Sequence, residues 1–361
     1  MTLSIQLQKP FGARILNMNC AELSSAVLDK IGQLLAQHEL LIFPGQQHLS
    51  PAEEANFYKS LAPSANTVWR DQLNNPWEVH KVAQGNTAGT WQVPGVPAVL
   101  VIGKGRYTSH GLDVELGGAR GAYGSTESSQ VLGGGKLQWH IDGAFYLEEP
   151  CRVGQMRCIE APSASDHWID YDEEPQDGFT AVAGATVFAS GRKALELLGK
   201  EQIDDLRKMQ VHYAPHPFQR AQTFINSSNG LKVSDPDSQP ENDDIVLPTT
   251  IDSNAKVYPL VWRCPLTSKP ALMIHPRCLQ YIENWYTKKL YSEIESRNMA
   301  EQYMRPAVSP QHLVIHNWKS GDLVVWNNYS VWHSATGGLN VNDRRVMHLT
   351  AFNGITPPEP G

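Results

Sequence analysis

The sequence predicts a mostly β fold with flanking helices (α+β), arranged as a barrel or double sheet, and two observations carry that expectation. From about residue 97 onward, short runs of β-type residues dominate: AVLVIG, KLQWHID, VGQMRCIEA, TAVAGATVFAS, KVYPLVW, ALMIHP, HLVIH, GDLVVW and RRVMHLTAF. Many are separated by Gly, Pro, Asn or Asp, the residues that end strands and reverse chains. Helical patterns, by contrast, sit at the N-terminal end and in two interruptions.

AELSSAVLDKIGQLLAQHE (21–39) has apolar residues at helical spacing, and LLIFPGQ (40–46) reads as a strand closed by Pro-Gly. Ser50-Pro51-Ala52-Glu53 supplies an N-cap, a proline at the first helical position and a glutamate at the third. That is a capping box, so a helix runs on through NFYKSLA, and the N-terminal helices occupy about 21–62. Further helical patterns appear at ALELLGK and at LQYIENWYTKKLYSEIESRN (279–298), the latter predicting a helical insertion over about 276–305. Acidic residues gather in SDHWIDYDEEPQDG (165–178) and SDPDSQPENDD (234–244), both read as solvated loops. No repeat or linker divides the chain, so 1–361 is expected to form a single domain.

The composition excludes several classes. With 361 residues, 41% hydrophobic and 19% charged, the chain has the make-up of a soluble globular protein, and its net charge of −7 argues against a nucleic-acid partner. MTLSIQLQKPFGARI lacks the basic and apolar regions of a secretory signal, and no apolar run approaches the ~20 residues of a membrane span. Five scattered cysteines (20, 151, 158, 264, 278) fit reduced thiols better than a disulfide framework. A cytoplasmic protein acting on a small-molecule substrate is expected, with no membrane partner; a homo-oligomer stays open.

The chemistry begins at LQWHIDGAFY (137–146). In an extended strand residues i and i+2 face the same way, about 7 Å apart, so His140 and Asp142 point together. By itself a His-x-Asp pair is also a common structural motif. GDLVVWNNYSVWHSATGG (321–338) adds His333 after a β run and before a Gly-Gly turn, and NDRRVMHLTAF supplies Arg344 and Arg345 on the next strand. Two histidines and one carboxylate from distant strands make the facial triad of non-haem Fe(II) oxygenases, which leaves three coordination positions open. A following arginine suits a dicarboxylate co-substrate, which a guanidinium holds through two parallel charge-assisted bonds. Only one of the two arginines can face inward. Arg345 shares a face with Met347 and Leu349, so Arg344 is read as a surface charge.

WHIDGAFY, DLVVWNNYSVWHS and RRVMHLTAF together resemble the TauD/TfdA family of Fe(II)- and 2-oxoglutarate-dependent dioxygenases. Within it, FASGRKALELL, VHYAPHPF, PLVWRCPLTSKPALMIHP and RPAVSPQHLVIHNWKSGDLVVW are similar to the fungal xanthine dioxygenase subgroup. The resemblance implies a double-stranded β-helix (jelly-roll, cupin-like) core, with Fe(II), 2-oxoglutarate and O2 as cofactors. It also implies His140, Asp142 and His333 as metal ligands and catalytic residues, and Arg345 on the distal carboxylate of 2-oxoglutarate. Substrate would be hydroxylated with release of succinate and CO2; in the subgroup, xanthine becomes urate. Three departures stand out. Where the family places a threonine on the co-substrate, this chain offers His167 or Trp168. Asn327-Asn328-Tyr329 replaces the family's Asp-Asn-Arg, and Leu349 stands where some relatives carry a second, substrate-binding arginine.

Gln138, on the face of His140 and Asp142, is read as a pocket residue, with Lys136, Asn328 and Leu349 as further substrate-binding candidates. VLGGGK (131–136) is either a lid or a flexible hairpin end. A purine needs polar partners, yet AVLVIG (98–103) and ELGGARGAYGS (115–125) offer apolar side chains and glycines, which favours a less polar metabolite, hydroxylated or desaturated. His316, His348, His212 and His216 are read as structural, and Trp332 as core. Two other classes compete: a zinc hydrolase on the same three ligands, and a non-catalytic cupin-like binding protein.

Overall fold

The computed structural model describes residues 3–61, 91–117, 137–143, 149–162, 166–171, 174–213, 229–231, 256–265, 267–276, 278–339, 342–350, 352, 354 and 356–361. The chain opens with strands β1 (Ser4–Leu7) and β2 (Ala13–Leu16), helix α1 (Ser25–His38), β3 (Leu40–Phe43) and α2 (Pro51–Ser60). There follow β4 (Trp91–Val93), β5 (Val96–Tyr107), β6 (Val114–Gly117), β7 (Val153–Glu160), β8 (Asp166–Tyr171), β9 (Glu174–Val182) and β10 (Thr186–Ser190). Helices α3 (Gly191–Glu196) and α4 (Lys200–Leu206) lead to β11 (Met209–Tyr213), β12 (Val257–Pro259), β13 (Val261–Arg263), β14 (Pro270–Leu272), β15 (Leu279–Asn284) and β16 (Lys289–Leu290). Helix α5 (Glu293–Met304) precedes β17 (Val314–His316), β18 (Leu323–Asn327), β19 (Val331–Ala335) and β20 (Arg345–Thr350).

The largest sheet runs β1-β2-β3-β18-β7-β20-β5-β4, with β6 also on β5, and a second sheet runs β17-β10-β19. Alternation along the strands builds two separate apolar layers on the larger sheet. One face contributes Ile42, Met156, Cys158, Val324, Trp326 and Met347, which meet Phe188, Val314 and Val331 of the second sheet in a shared interior. The other face contributes Leu41, Phe43, Val99, Val101, Val325 and Val346, covered by Ile31, Leu34 and Leu35 of α1 and Phe57 and Tyr58 of α2. Strands covered on both sides read as continuous apolar runs, as LLIF and LVVW do. The outer face of the second sheet, through Val187, Ala189 and Trp332, packs on β11–β15 and α5.

The N-terminal expectations hold. Ser50 Oγ accepts the Glu53 N–H at 3.3 Å while Glu53 accepts the Ser50 N–H at 2.7 Å, completing the capping box of α2. All five cysteines are buried, and none is in a disulfide. No described helix is long and apolar enough to cross a membrane.

Two expectations fail. Residues 279–298 do not form one helix: 279–284 and 289–290 are strands, and only Glu293–Met304 is helical. Leu279 and Ile282 have helical spacing, but β15 pairs with β11 and sets Ile282 opposite Val211. Lys288 at φ 58° then turns the chain, and Ser292 with Glu295 caps the real helix. The acidic stretch 165–178 is likewise not all loop: its described residues, 166–171 and 174–178, are strand, β8 paired with β9. Its acids fit because Asp166 and Asp170 alternate outward while Ile169 and Tyr171 are buried. The second acidic stretch lies outside the described residues.

Candidate metal centre

Residues 137–142 alternate as expected: Leu137, Trp139 and Ile141 are buried, while Gln138, His140 and Asp142 take the half-buried face. The stretch is nevertheless not a regular strand. Its one ladder contact is a bridge between His140 and His333, with His140 N–H on the His333 carbonyl at 3.1 Å and the reverse bond at 3.3 Å. Trp139 Nε1 donates to the Asn229 carbonyl at 2.9 Å, and the Gln138 N–H donates to Ser334 Oγ at 2.7 Å, bracing the stretch from both sides.

That bridge brings the three predicted ligands together. Ligand atoms of His140, Asp142 and His333 all lie within 4.8 Å of one another. Asp142 Oδ1 is 3.8 Å from His140 Nε2 and 3.6 Å from His333 Nε2, beyond hydrogen-bond length but close enough to share one ion. His140 Nδ1 donates to the Gln138 carbonyl at 2.7 Å, which fixes the tautomer and leaves the Nε2 lone pair toward Asp142. Burial pushes the Asp142 carboxyl up, against the pull of His140, and holds His333 well below the usual imidazole range, with His140 adding to the effect. Asp142 Oδ2 is buried with no hydrogen-bond partner among the described residues. A His333 imidazole held neutral beside an under-satisfied buried carboxylate fits a bound divalent cation.

Asn328 holds Asp142 from behind. Its Oδ1 accepts the Asp142 N–H at 3.1 Å, and its Nδ2 donates to the carbonyls of Asp142 and Cys151, both at 2.8 Å. His333 sits on β19 opposite Phe188, with its ring 4.8 Å from that of Trp326 and 6.0 Å from that of Phe188.

Arg345 begins β20 and turns into the interior: it is 4% exposed, lies beside Cys158, and donates from Nε to the Gly184 carbonyl at 2.8 Å. It makes no ion pair with any described carboxylate, and burial pulls its guanidinium down to about 10. Arg344 points out, pairing with Glu160 at 2.9 Å. On the opposite face of β20, His348 donates to Glu54 at 2.8 Å, the structural role expected of it. His316 pairs with Asp322 at 3.3 Å and His212 with Glu283 at 3.0 Å, both apart from the triad, and Trp332 is core.

The remaining candidates divide. His167 faces inward, with Nε2 3.3 Å from the Thr336 carbonyl oxygen and its ring against Gly338. Trp168 is a correction: alternation along β8 turns it outward, 53% exposed over Gly178, away from any buried ligand. Asn328 is a second correction, since its amide is spent on main chain rather than presented to substrate. Leu349 is half-buried against the interior cluster, across from Leu100. Gln138 is half-buried beside His140; Lys136, VLGGGK and His216 lie outside the described residues. Sequence reading passed over His275, buried with its ring 6.1 Å from that of His140. It also passed over Gly184, whose only signal was a small residue between two strands.

A family model, that of the taurine catabolism dioxygenase TauD, TfdA family, matches residues 4–351. The chain belongs to this family. TauD/TfdA membership makes it a dioxygenase working with Fe(II), 2-oxoglutarate and O2, and removes the zinc-hydrolase and non-catalytic readings. The α-ketoglutarate-dependent xanthine dioxygenase xan1 of Schizosaccharomyces pombe is 28% identical, the alignment covering 96% of this chain and 86% of that one. Its counterpart xanA of Emericella nidulans is also 28% identical, over 96% and 94%. Among solved structures, a taurine dioxygenase from Burkholderia xenovorans superposes with a TM-score of 0.59 at 14% identity, covering 99% of this chain and 93% of that one. That likeness extends the TauD/TfdA assignment to the fold.

Proposed function

We propose that this dioxygenase hydroxylates a small organic substrate with release of succinate and CO2, using His140, Asp142 and His333 as metal ligands and Arg345 to anchor the distal carboxylate of 2-oxoglutarate. The observation that carries the reading is Arg345, a buried guanidinium that makes no ion pair with a described carboxylate. An isolated buried charge is costly, and the two-pronged geometry of a guanidinium suits a carboxylate brought in by a ligand. The bound Fe(II) would supply O2 activation, with one coordination face left to oxygen and co-substrate. The chain's own part is to orient that centre. Gln138 sets the His140 tautomer, Trp326 and Phe188 keep the His333 side dry, and Gly184 directs Arg345 along the interior. We read the two facing sheets as the double-stranded β-helix that supports this arrangement.

Xanthine, oxidised to urate, is the substrate that the relatives' names support. A second reading, a less polar metabolite hydroxylated or desaturated at the same centre, rests on the inner face beside Arg345, where Leu100, Ile102, Met347 and Leu349 stand together. Succinate release in the presence of Fe(II) and O2, scored across purines and small apolar acids, separates the two. Strong stimulation by xanthine with urate formed supports the first. Stimulation by an apolar acid alone supports the second.

A further inference from the structure

Among the described residues, Asp142 has no strand neighbour to hold it. The bridge to β19 ends at His140, and three residues later Gly143, at φ 80°, turns the chain away. Among the described residues one side chain holds both main-chain groups of Asp142, while Cys151 Sγ reaches only the carbonyl, at 4.0 Å. Asn328 is fully buried, and its amide accepts from the Asp142 N–H while donating to the Asp142 carbonyl. A residue opposite in an antiparallel pair makes that same two-bond exchange through its main chain. The third bond, to the Cys151 carbonyl, ties the pair to the segment entering β7. Asn328 is itself held: its N–H donates to the Arg152 carbonyl at 2.9 Å, and it lies in the tight turn closed by the Ser330 N–H on the Asn327 carbonyl at 3.0 Å. The same turn leads directly into β19 and His333.

We propose that Asn328 is the positioning residue of the metal centre, locking the anionic ligand Asp142 to the turn that carries His333, so that the ligand set is assembled before metal arrives. The proposal rests on the triad being the metal site. The amide is chemically required. It meets one donor and two acceptors at once, whereas an aspartate would direct a carboxylate at two carbonyls and an alanine would leave the Asp142 N–H without its acceptor.

The test is Co(II) titration of the metal-free protein, followed by its visible absorption, alongside thermal unfolding without metal. Wild type, Asn328→Ala, Asn328→Asp, Asp142→Ala and Ser296→Ala are compared. Ser296 is an equally buried control on α5, whose Oγ accepts the Ile282 N–H at 2.7 Å. Asn328→Ala and Asn328→Asp should weaken Co(II) binding roughly 10- to 100-fold, the usual cost of removing a group that orients a ligand. Ser296→Ala should lower the unfolding temperature and leave Co(II) affinity unchanged. Asn328 variants that lose no more affinity than Ser296→Ala, while Asp142→Ala loses it, overturn the positioning role alone. A wild type that ignores Co(II), or Asp142→Ala binding as wild type does, overturns the triad reading as well. Should Asn328→Ala fail to fold, the Asn328→Asp titration decides.

Discussion

His140 and His333, nearly two hundred residues apart in sequence, exchange main-chain hydrogen bonds at 3.1 and 3.3 Å, so the two imidazoles are registered by backbone before any ion is bound. Their ring centroids lie 4.0 Å apart. A pair fixed in this way depends on the third residue for charge, and the first prediction follows. Asp142→Ala should reduce 2-oxoglutarate turnover to background, because it removes the only anionic ligand of the set. Succinate release near the wild-type rate would count decisively against these ligands.

Arg345→Ala should raise the 2-oxoglutarate concentration needed for half-maximal succinate release. Charge-assisted bonds worth about 1.5–3 kcal/mol correspond to roughly 10- to 150-fold. Arg345→Lys should recover part of the loss. An unchanged KM for 2-oxoglutarate would remove Arg345 from the co-substrate site.

The same arginine should burden the protein without its co-substrate. Burial lowers its pKa to about 10, so the unfolded chain holds that proton more tightly than the folded one. The penalty is fully present below pH 10 and is relieved as pH rises through 10 toward the ordinary arginine range. Arg345→Met should therefore unfold at higher denaturant than wild type at pH 8, by about 1–3 kcal/mol, with the gap narrowing above pH 10. Urea titrations of the two proteins across that range measure it.

Gly184, at φ 76°, would place a Cβ 2.9 Å from Arg345 Cδ, whereas Gly95, at φ 77°, has open space at that position. Alanine at either site carries similar backbone strain, about 1 kcal/mol or more. Only Gly184→Ala should also raise the KM for 2-oxoglutarate. Equal kinetic behaviour of the two variants would show that Gly184 matters for its turn alone.

Glu54 is completely buried, and its Oε1 accepts from Arg157 Nε and from His348 Nδ1, both at 2.8 Å. Glu54→Gln leaves Arg157 without its charge partner and should cost about 3–5 kcal/mol of stability in urea unfolding. Co(II) affinity should be unaffected, because the cluster lies on the face of β20 opposite Arg345.

The clustered triad was legible because each part is a chemically rare event in an ordinary context: a His-x-Asp in an apolar stretch, and a histidine followed at the right distance by an inward arginine. Alternation, with the family resemblance, chose Arg345 over Arg344 and turned His348 to the other face. What was not legible involves partners far apart in sequence. Leu279 and Ile282 satisfy helical spacing equally well, and only the pairing of β15 with β11 decides between the periods. The Ser292–Glu295 capping box was visible and would have placed the helix start correctly. Nothing local to Asn328 says that its amide reaches Asp142, because that bond spans the whole jump from the first ligand segment to the last. Trp168 illustrates the opposite failure. Its aromatic N–H suggested a ligand, but its parity along β8 sends it to water.

Strand β20 carries a guanidinium inward at 345 and an imidazole outward at 348, each seated on its own acceptor. A slip of one residue would drive the arginine toward the helical layer and thrust the histidine among Phe188 and Trp326, forfeiting both seats together. Misregistered copies of this strand are thus rejected on both faces at once, which gives the last-synthesised strand of the large sheet its own proofreading.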